Sequence, residues 1–405
     1  MSFDVESRGE GFGLGRAAAG VRRAVSGAPG ARALEALRAG LGDGPFALVM
    51  LFVSPDRDRE ALAAALPGAF GDAVVIGCTT AGEIGPEGYA GGGIAAVGLP
   101  RGDFAATTRT IDAAGGVRLS DAAALAREMQ GELERRLAET ARPLGRRFGL
   151  MLSDGAAAGE DALAFAFGEA LGPAPFLGGS AGDADGIGPG FVLSGGRFAS
   201  GGATLALVET RCRPAPLRLD RMRAGEPRMV VTGADASGRR VTELNGEPAA
   251  EEYARLAGLS VNALDAAALA AHPLAAAAGG RLHPRALRGA DPDGALRFAA
   301  AVEEGMVLRL AEPPDVAAEL EDALGDLSRG GAPEATLVFE SVLRRREAEA
   351  SQAAARVSAA FAAANAVGFT SWGEQAARLH GSGTLSALAL YPPEGGSPST
   401  PGGAP

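Results

Sequence analysis

Three stretches of this chain repeat one pattern: IGCTTAGE (76–83), FLGGSAGD (176–183) and VGFTSWGE (367–374). The first and third share Gly77/Gly368, Thr79/Thr370, Gly82/Gly373 and Glu83/Glu374. Ser180 aligns with Thr80 and Ser371, and Asp183 with the two glutamates. The strand that follows repeats as well. YAGGGIAAVGL (89–99) overlays FASGGATLALV (198–208) without a gap, and HGSGTLSALAL (380–390) takes the same place, with His380 in the aromatic slot of Tyr89 and Phe198. A repeat this long means that one supersecondary unit is used three times, at a period far above that of a solenoid.

Hydropathy fills in the unit. ALVMLFVS (47–54) is a continuous apolar run of strand length, as expected of a strand buried on both faces. SPDRDREALAAAL then reads as a short helix capped by Ser54 or Asp56. DAVVIGC (72–78), GGIAAVGL (92–99) and FAATTRTI (104–111) read as strands, and LSDAAALAREMQGELERRLAET (119–140) as an amphipathic helix with Ser120 or Asp121 as cap. The order returns as FGLMLSDG (148–155), EDALAFAFGEAL (160–171), PFLGGSAGD (175–183) and FASGGATLALVE (198–209). It returns again as ATLVFESV (335–342), a helix over REAEASQAAARVSAAFAAAN, AVGFTSWGE (366–374) and GTLSALAL (383–390). Each unit is strand, helix, strand, Gly-acid loop, strand. The fold class is α/β, with α+β mixed sheets and helices, in two related domains whose half-domains face one another. The domains are expected at 45–210 and 211–392, after an N-terminal extension (1–44) with a helix at about 31–39. A Pro/Gly/Ser-rich tail, 393–405, is expected to be disordered.

Between the second and third copies the pattern changes. RCRPAPLRL (211–219) reads as a linker, RMVVTGA and RRVTELNG as a hairpin, and PAAEEYARLAGL as a helix. LRFAAAVEEGMVLRLAEP (296–313) reads as a second hairpin turning at EEG, and Asp315 as the cap of the helix DVAAELEDALGDL. The Ala-rich stretch 261–292 shows no clear period.

Composition narrows the function. A net charge of −11 disfavours nucleic acid and anionic membrane surfaces as partners. All 38 basic residues are arginine, so Schiff-base chemistry and a P-loop lysine are both excluded. The two cysteines, Cys78 and Cys212, form no CxxC pair, which argues against a zinc ribbon or an iron–sulfur site and fits a reduced, cytoplasmic setting. The first residues, MSFDVESRGEGFGLGR, have no apolar signal core, and no run of about 18 apolar residues could span a bilayer. No GxSxG, HExxH, P-loop or helix-opening GxGxxG is present, so an enzyme is not expected.

The candidate ligand-binding residues therefore come from the repeat loops. Thr79, Thr80 and Glu83 would bind from one side, Ser180 and Asp183 from the second, and Thr370, Ser371 and Glu374 from the third. Hydroxyls at strand ends can satisfy loop N–H groups or a ligand, and the acids suit an amino group. Trp372, the one tryptophan, suits a pocket wall or core packing. Cys78 is the sharpest chemical candidate, a nucleophile near His380. Yet its repeat equivalents, Gly178 and Phe369, make packing the stronger reading. No metal site is expected from three dispersed histidines. His380 could serve as an axial haem ligand in an alternative reading, without which no cofactor is expected.

IGCTTAGE with its glycine-rich following strand, FLGGSAGD, RRVTELNGEPAAEEYARLAG and VGFTSWGE, in that order, resemble the FIST family over roughly 45–392. The strand at 335–342 departs from it, carrying ESV where the family pattern leads one to expect a cysteine. The resemblance implies FIST N- and C-domains in a bacterial, stand-alone sensory protein that binds a small ligand such as an amino acid. Its output would pass to a separate partner: a histidine kinase, a cyclic-di-nucleotide enzyme or a chemotaxis receptor. One branch of the family implies the alternative, a haem protein that senses nitric oxide and controls a kinase.

Overall fold

The three copies of the motif build three units of one design. The computed structural model describes residues 20–112, 119–138, 144–156, 159–183, 189–220, 223–278, 281–299, 301–312 and 315–393. The first unit is β1 (Arg22–Ser26), α1 (Ala31–Leu41), β2 (Phe46–Val53), α2 (Arg59–Ala65), β3 (Val74–Thr79), the hairpin β4–β5 (Glu83–Gly85, Gly88–Ala90) and β6 (Ile94–Pro100). The second is β7 (Phe104–Asp112), α3 (Leu119–Ala138), β8 (Arg146–Asp154), α4 (Glu160–Leu171), β9 (Phe176–Ala181), β10–β11 (Val192–Ser194, Arg197–Ala199) and β12 (Gly202–Thr210). The third opens with β13 (Arg213–Leu219). An insert follows: β14 (Arg223–Ala234), β15 (Arg240–Leu244), β16 (Glu247–Pro248), α5 (Ala249–Ala257), α6 (Ala266–Ala271), β17 (Leu274–Ala278), β18 (Arg281–Arg285), β19 (Leu287–Ala290), β20 (Leu296–Phe298) and β21 (Val307–Glu312). The unit then resumes with α7 (Val316–Arg329), β22 (Ala335–Ser341), α8 (Val342–Ala350), α9 (Ala354–Ala363), β23 (Ala366–Ser371), β24–β25 (Glu374–Ala376, Leu379–Gly381) and β26 (Leu385–Tyr391).

Three sheets of six strands share one order: β1-β6-β2-β3-β10-β11, β7-β12-β8-β9-β24-β25 and β13-β26-β22-β23-β4-β5. Only the central pairs β2/β3, β8/β9 and β22/β23 are parallel. The last two strands of each sheet come from another unit. The second unit's hairpin completes the first sheet, the third unit's completes the second, and the first unit's completes the third. The class is mixed α/β, as expected, but the units do not face each other as paired halves. They close a cycle by exchanging hairpins.

Alternation along the strands explains how the cycle is filled. In β2, Leu48, Met50 and Phe52 enter a core shared by all three sheets, while Val49, Leu51 and Val53 pack with Leu34, Leu37 and Leu41 of α1. Phe148, Leu150 and Leu152 of β8 and Leu337 and Phe339 of β22 enter the same shared core, and Met151 and Val338 face their own helices. The period of two sends successive side chains to opposite faces, so a strand covered on both must be apolar throughout. At the centre the rings of Phe52, Phe339 and Phe369 pack with centroids 5.0–6.3 Å apart.

The insert forms its own sheet, β18-β17-β21-β14-β15-β20-β19 with β16 on β15, over a core from Met229 to Leu310. Several expectations change here. The supposed linker is β13, an edge strand. Pro214 and Pro216 have the same parity, so their missing N–H groups fall on the unpaired side. β14 and β15 form the expected hairpin, but β20 and β21 do not pair with each other: β20 joins β15 and β19, and β21 joins β14 and β17. The stretch without a period supplies α6 and β17–β19. Asp315 caps α7 as expected, whereas α2 is capped by Asp58 rather than Ser54 or Asp56, and α3 starts before Ser120. The single helix expected at 346–365 is broken between α8 and α9, where Gln352 has φ 59°. The residues from 394 onward, within the tail expected to be disordered, lie outside those described.

Candidate functional site

The three loops do converge, and they bond to each other. Thr370 N donates to Gly82 O (2.7 Å) and its carbonyl accepts from Ala81 N (2.9 Å). Ser180 N donates to Gly373 O (2.8 Å) and Ser180 O accepts from Trp372 N (3.2 Å). Thr79 N donates to Phe191 O (2.9 Å), while Phe191 N donates to Thr79 Oγ1 (3.0 Å). Each strand end is thus stitched to the crossover of another unit, and these backbone groups satisfy one another.

This pairing corrects the alignment of the second copy by one residue. A β-carbon on Gly77, Gly178 or Gly368 would lie 2.1, 1.9 or 1.7 Å from the carbonyl oxygen of Leu51, Met151 or Val338, so these three glycines are equivalent. Ser180 therefore matches Thr79 and Thr370, and Ala181 matches Thr80 and Ser371. Val192 pairs with Cys78 as Glu83 pairs with Phe369 and Glu374 with Gly179, so Val192, rather than Asp183, is the equivalent of the two glutamates. The hydroxyl and the acid vary together. Thr80 Oγ1 donates to Glu83 Oε1 and Ser371 Oγ to Glu374 Oε1, both at 2.6 Å. The second unit lacks both groups. Glu83 Oε2 also accepts from Gly93 N (3.2 Å), and Glu374 Oε2 from Thr384 N (3.1 Å) and Oγ1 (2.9 Å). All four side chains are buried, so these acids brace the crossovers of their own units. Burial raises Glu83 and pushes Glu374 up to about 8, against the opposing pull of its three donors.

Cys78 is in the shared core beside Phe52 and Phe369. Its true equivalents are Gly179 and Phe369. A β-carbon on Gly179 would sit 2.7 Å from the Phe369 ring, so a glycine leaves room for the phenylalanine. Burial drives the Cys78 thiol well above its ordinary value, and burial with nearby Glu334 takes Cys212 to about 12. Iodoacetamide near neutral pH is expected to spare both thiols in the folded protein and label both in urea. Rapid native labelling of Cys78, read by peptide mass spectrometry, would contradict its place in the core.

Two polar clusters lie under exchanged hairpins. Under β4–β5, Tyr89 donates its hydroxyl to Glu340 of β22, and Arg344 pairs with Glu319 (2.8 Å). Burial pushes Glu340 up to about 7. Under β24–β25, Glu160 Oε1 accepts from both Ser153 and Ser180. Gln375 Nε2 donates to Ser180 Oγ (3.2 Å) and lies 3.1 Å from His380 Nδ1, while His380 Nε2 faces Glu160 Oε2 at 3.6 Å. Arg239 of the insert reaches the same carboxylate at 3.4 Å. The serine hydroxyls donate to the acid and not to the histidine, so the cluster does not have the Ser–His pairing of an activated serine nucleophile. With an imidazole 0% exposed and Gln375 and Glu160 facing its two nitrogens, His380 does not fit an axial haem ligand here. Trp372 is buried against Gly182. Its Nε1 donates to the Asp183 carbonyl (2.6 Å), and Arg288 and Arg346 lie 5.2 and 5.3 Å from its ring.

This second cluster is the candidate site. It stands at the carboxyl ends of β8 and β9, where open α/β sheets commonly bind ligands. It also stands where the insert meets the cycle. Arg239 and Arg288 both donate to Gly155 O (3.2 and 2.9 Å), and Ala286 N donates to Ser382 Oγ (3.0 Å). His380 borders a cavity of about 140 Å³ between the insert and β25. A groove of about 580 Å³, lined by Val74, Phe104 and Arg136 among others, lies at the opposite strand ends. Sequence reasoning found Ser180 and His380 but missed Ser153, Glu160, Gln375 and Arg239. Glu160 read as the start of a helix, and Gln375 gave a faint signal as the polar residue after the repeated acid.

Among the described residues no helix is long and apolar enough to cross a membrane, and no group of three His, Cys, Asp or Glu side chains could hold a metal ion. A family model described as the FIST N domain matches residues 47–247, and one described as the FIST C domain matches 249–377. The boundary between the two matches falls inside the insert, between β16 and α5. No curated protein matches the chain.

Proposed function

The chain belongs to the FIST family, whose domains are sensory modules of signal transduction, and from this we propose that it binds a small ligand and regulates a separate partner by moving its insert. The observation that supports this reading is the build of the insert. It has an apolar core of its own, separate from those of the cycle, and meets the candidate site through arginine-to-carbonyl and backbone hydrogen bonds. A body with its own core, joined through polar contacts beside a cavity, can be held in one of two arrangements by a ligand that contacts both sides. An amino acid is one ligand class the family brings forward. A histidine kinase, a cyclic-di-nucleotide enzyme or a chemotaxis receptor would receive the output, in a cytoplasmic setting. The repeat acids Glu83 and Glu374 serve the fold in this reading, and the ligand-binding role moves from the loops as a whole to the side where His380 stands.

Hydrogen exchange measured during a metabolite screen tests it. A ligand that raises the melting temperature is expected to slow exchange in 223–312 and in β24–β25 together, and to do so less in Arg239→Gln. Stabilisation with unchanged exchange in the insert would remove the proposed coupling.

A further inference from the structure

The cavity beside His380 has a chemistry of its own. Arg218 of β13, His283 and Arg285 of β18, and His380 of β25 line it, with Pro284, Leu379 and Gly381 completing the wall. Among the described residues no carboxylate lines it, in a chain whose net charge is −11. Arg218 Nε lies 3.4 Å from Asp220, outside hydrogen-bond geometry. Arg285 has less: Nη1 donates to the neighbouring Pro284 carbonyl (3.0 Å), Nε has no acceptor, and no acid lies within ion-pair distance among the described residues. Asp161 acts on it only at longer range and is itself 3.8 Å from Arg239. Arg218 and Arg285 are close enough to repel, and burial and that repulsion both lower Arg285. A β-carbon on Gly381 would sit 3.7 Å from Arg218 Nη2, so the guanidinium lies against a strand that presents no side chain to it.

Two guanidinium groups at one small cavity, with Asp220 as the one acid among the described residues at ion-pair distance from either, leave positive charge that an entering anion would balance. Their planar forks match a carboxylate or a phosphate. We propose that this cavity is a binding site for a compact oxyanion, a carboxylate or phosphate group, held by Arg218 and Arg285. At about 140 Å³ it admits one such group and not the whole of a drug-sized ligand, whose sites run to roughly 300–1,000 Å³. The site rests on the sensory reading above, since it names the ligand chemistry that would join β18 of the insert to β13 and β25 of the cycle.

Titration calorimetry of the full chain with malonate, with inorganic phosphate and with neutral malonamide tests it. One or both anions are expected to bind and malonamide not to, and the two anion arms separate a carboxylate from a phosphate ligand. Arg285→Gln and Arg218→Gln should each weaken anion binding by ~10-fold or more, through the loss of a charge-assisted hydrogen bond. Without anion, Arg285→Gln should melt no lower than the parent; Arg218→Gln, at a position whose side chain is 21% exposed, carries the test if the other variant folds poorly. Failure of both anions to bind at millimolar concentration, or binding unchanged in both variants, overturns the site. Anion binding that the variants weaken but that leaves exchange in 223–312 unaltered keeps the site and removes the sensory coupling. Altered exchange with a neutral metabolite, and no anion binding, does the reverse.

Discussion

Gly368→Ala is expected to destabilise the protein by ~3 kcal/mol or more, with Gly77→Ala and Gly178→Ala close behind. The β-carbon would lie 1.7 Å from Val338 O and 2.7 Å from its carbonyl carbon. That obstacle is backbone in the centre of a parallel pair, with no flexible end to swing away. Either β22 and β23 separate, losing ladder hydrogen bonds, or the shared core beneath them shifts. Overpacking of a tight interior costs about 1–3 kcal/mol even where side chains can adjust, and here they cannot. Urea midpoints measure the effect. Gly325→Ala is the internal control: Gly325 lies inside α7 with nothing within 4 Å of its β-carbon position, so it should gain up to ~1 kcal/mol. If the three core variants matched that control, the assigned register of the parallel pairs would be wrong.

The second large effect is on pH dependence. Glu374 is pushed up to about 8 and Glu340 to about 7, in both chiefly by burial. In the unfolded chain each would ionise near ~4.3. Between those values the folded state holds protons that the unfolded state has lost, so stability falls as pH rises. Each group contributes a slope of roughly 1.4 kcal/mol per pH unit, ending near pH 7 for Glu340 and near pH 8 for Glu374. Glu374→Gln should remove one slope while keeping the shape. Its amide oxygen can accept from Thr384, and Ser371 can turn its hydroxyl toward Glu340 O, now 3.3 Å away. Relative to the parent, the variant should gain stability steadily from about pH 5 to about pH 8 and no further. A difference that stays constant over that range would show that Glu374 is ionised in the folded protein.

The apolar strands were legible because burial on both faces leaves continuous runs such as ALVMLFVS, and the repeat was legible because three backbones need the same glycine. Pairing between units was not. Glu83 meets Phe369 far along the chain, and no local pattern in a three-residue strand names so distant a partner. The one-residue slip in FLGGSAGD arose because Ala181, Gly182 and Asp183 match Ala81, Gly82 and Glu83, which sets Leu177 against Gly77. The carbonyl of Met151 corrects it, because Gly178 faces that oxygen while Gly179 faces Phe369. β13 was hidden by prolines that are harmless at a sheet edge. Ser153, Glu160 and Arg239 sit on β8, on α4 and in the β14–β15 turn, so the site they form with Ser180 exists only in the folded chain.

The hairpin exchange also sets a timetable. β4–β5 is made early, yet the strand it completes, β23, emerges nearly 300 residues later. At a synthesis rate of roughly 5–20 residues per second the hairpin waits on the order of 15–60 s without its sheet. Any translation product that stops short of β23 leaves that hairpin unpaired, and leaves β9 an open edge where β24 should lie. The cycle therefore makes its first-made strands depend on its last-made ones: only a chain carried through to β26 has a partner for each of β4, β9 and β13 in the sheets they share with the third unit.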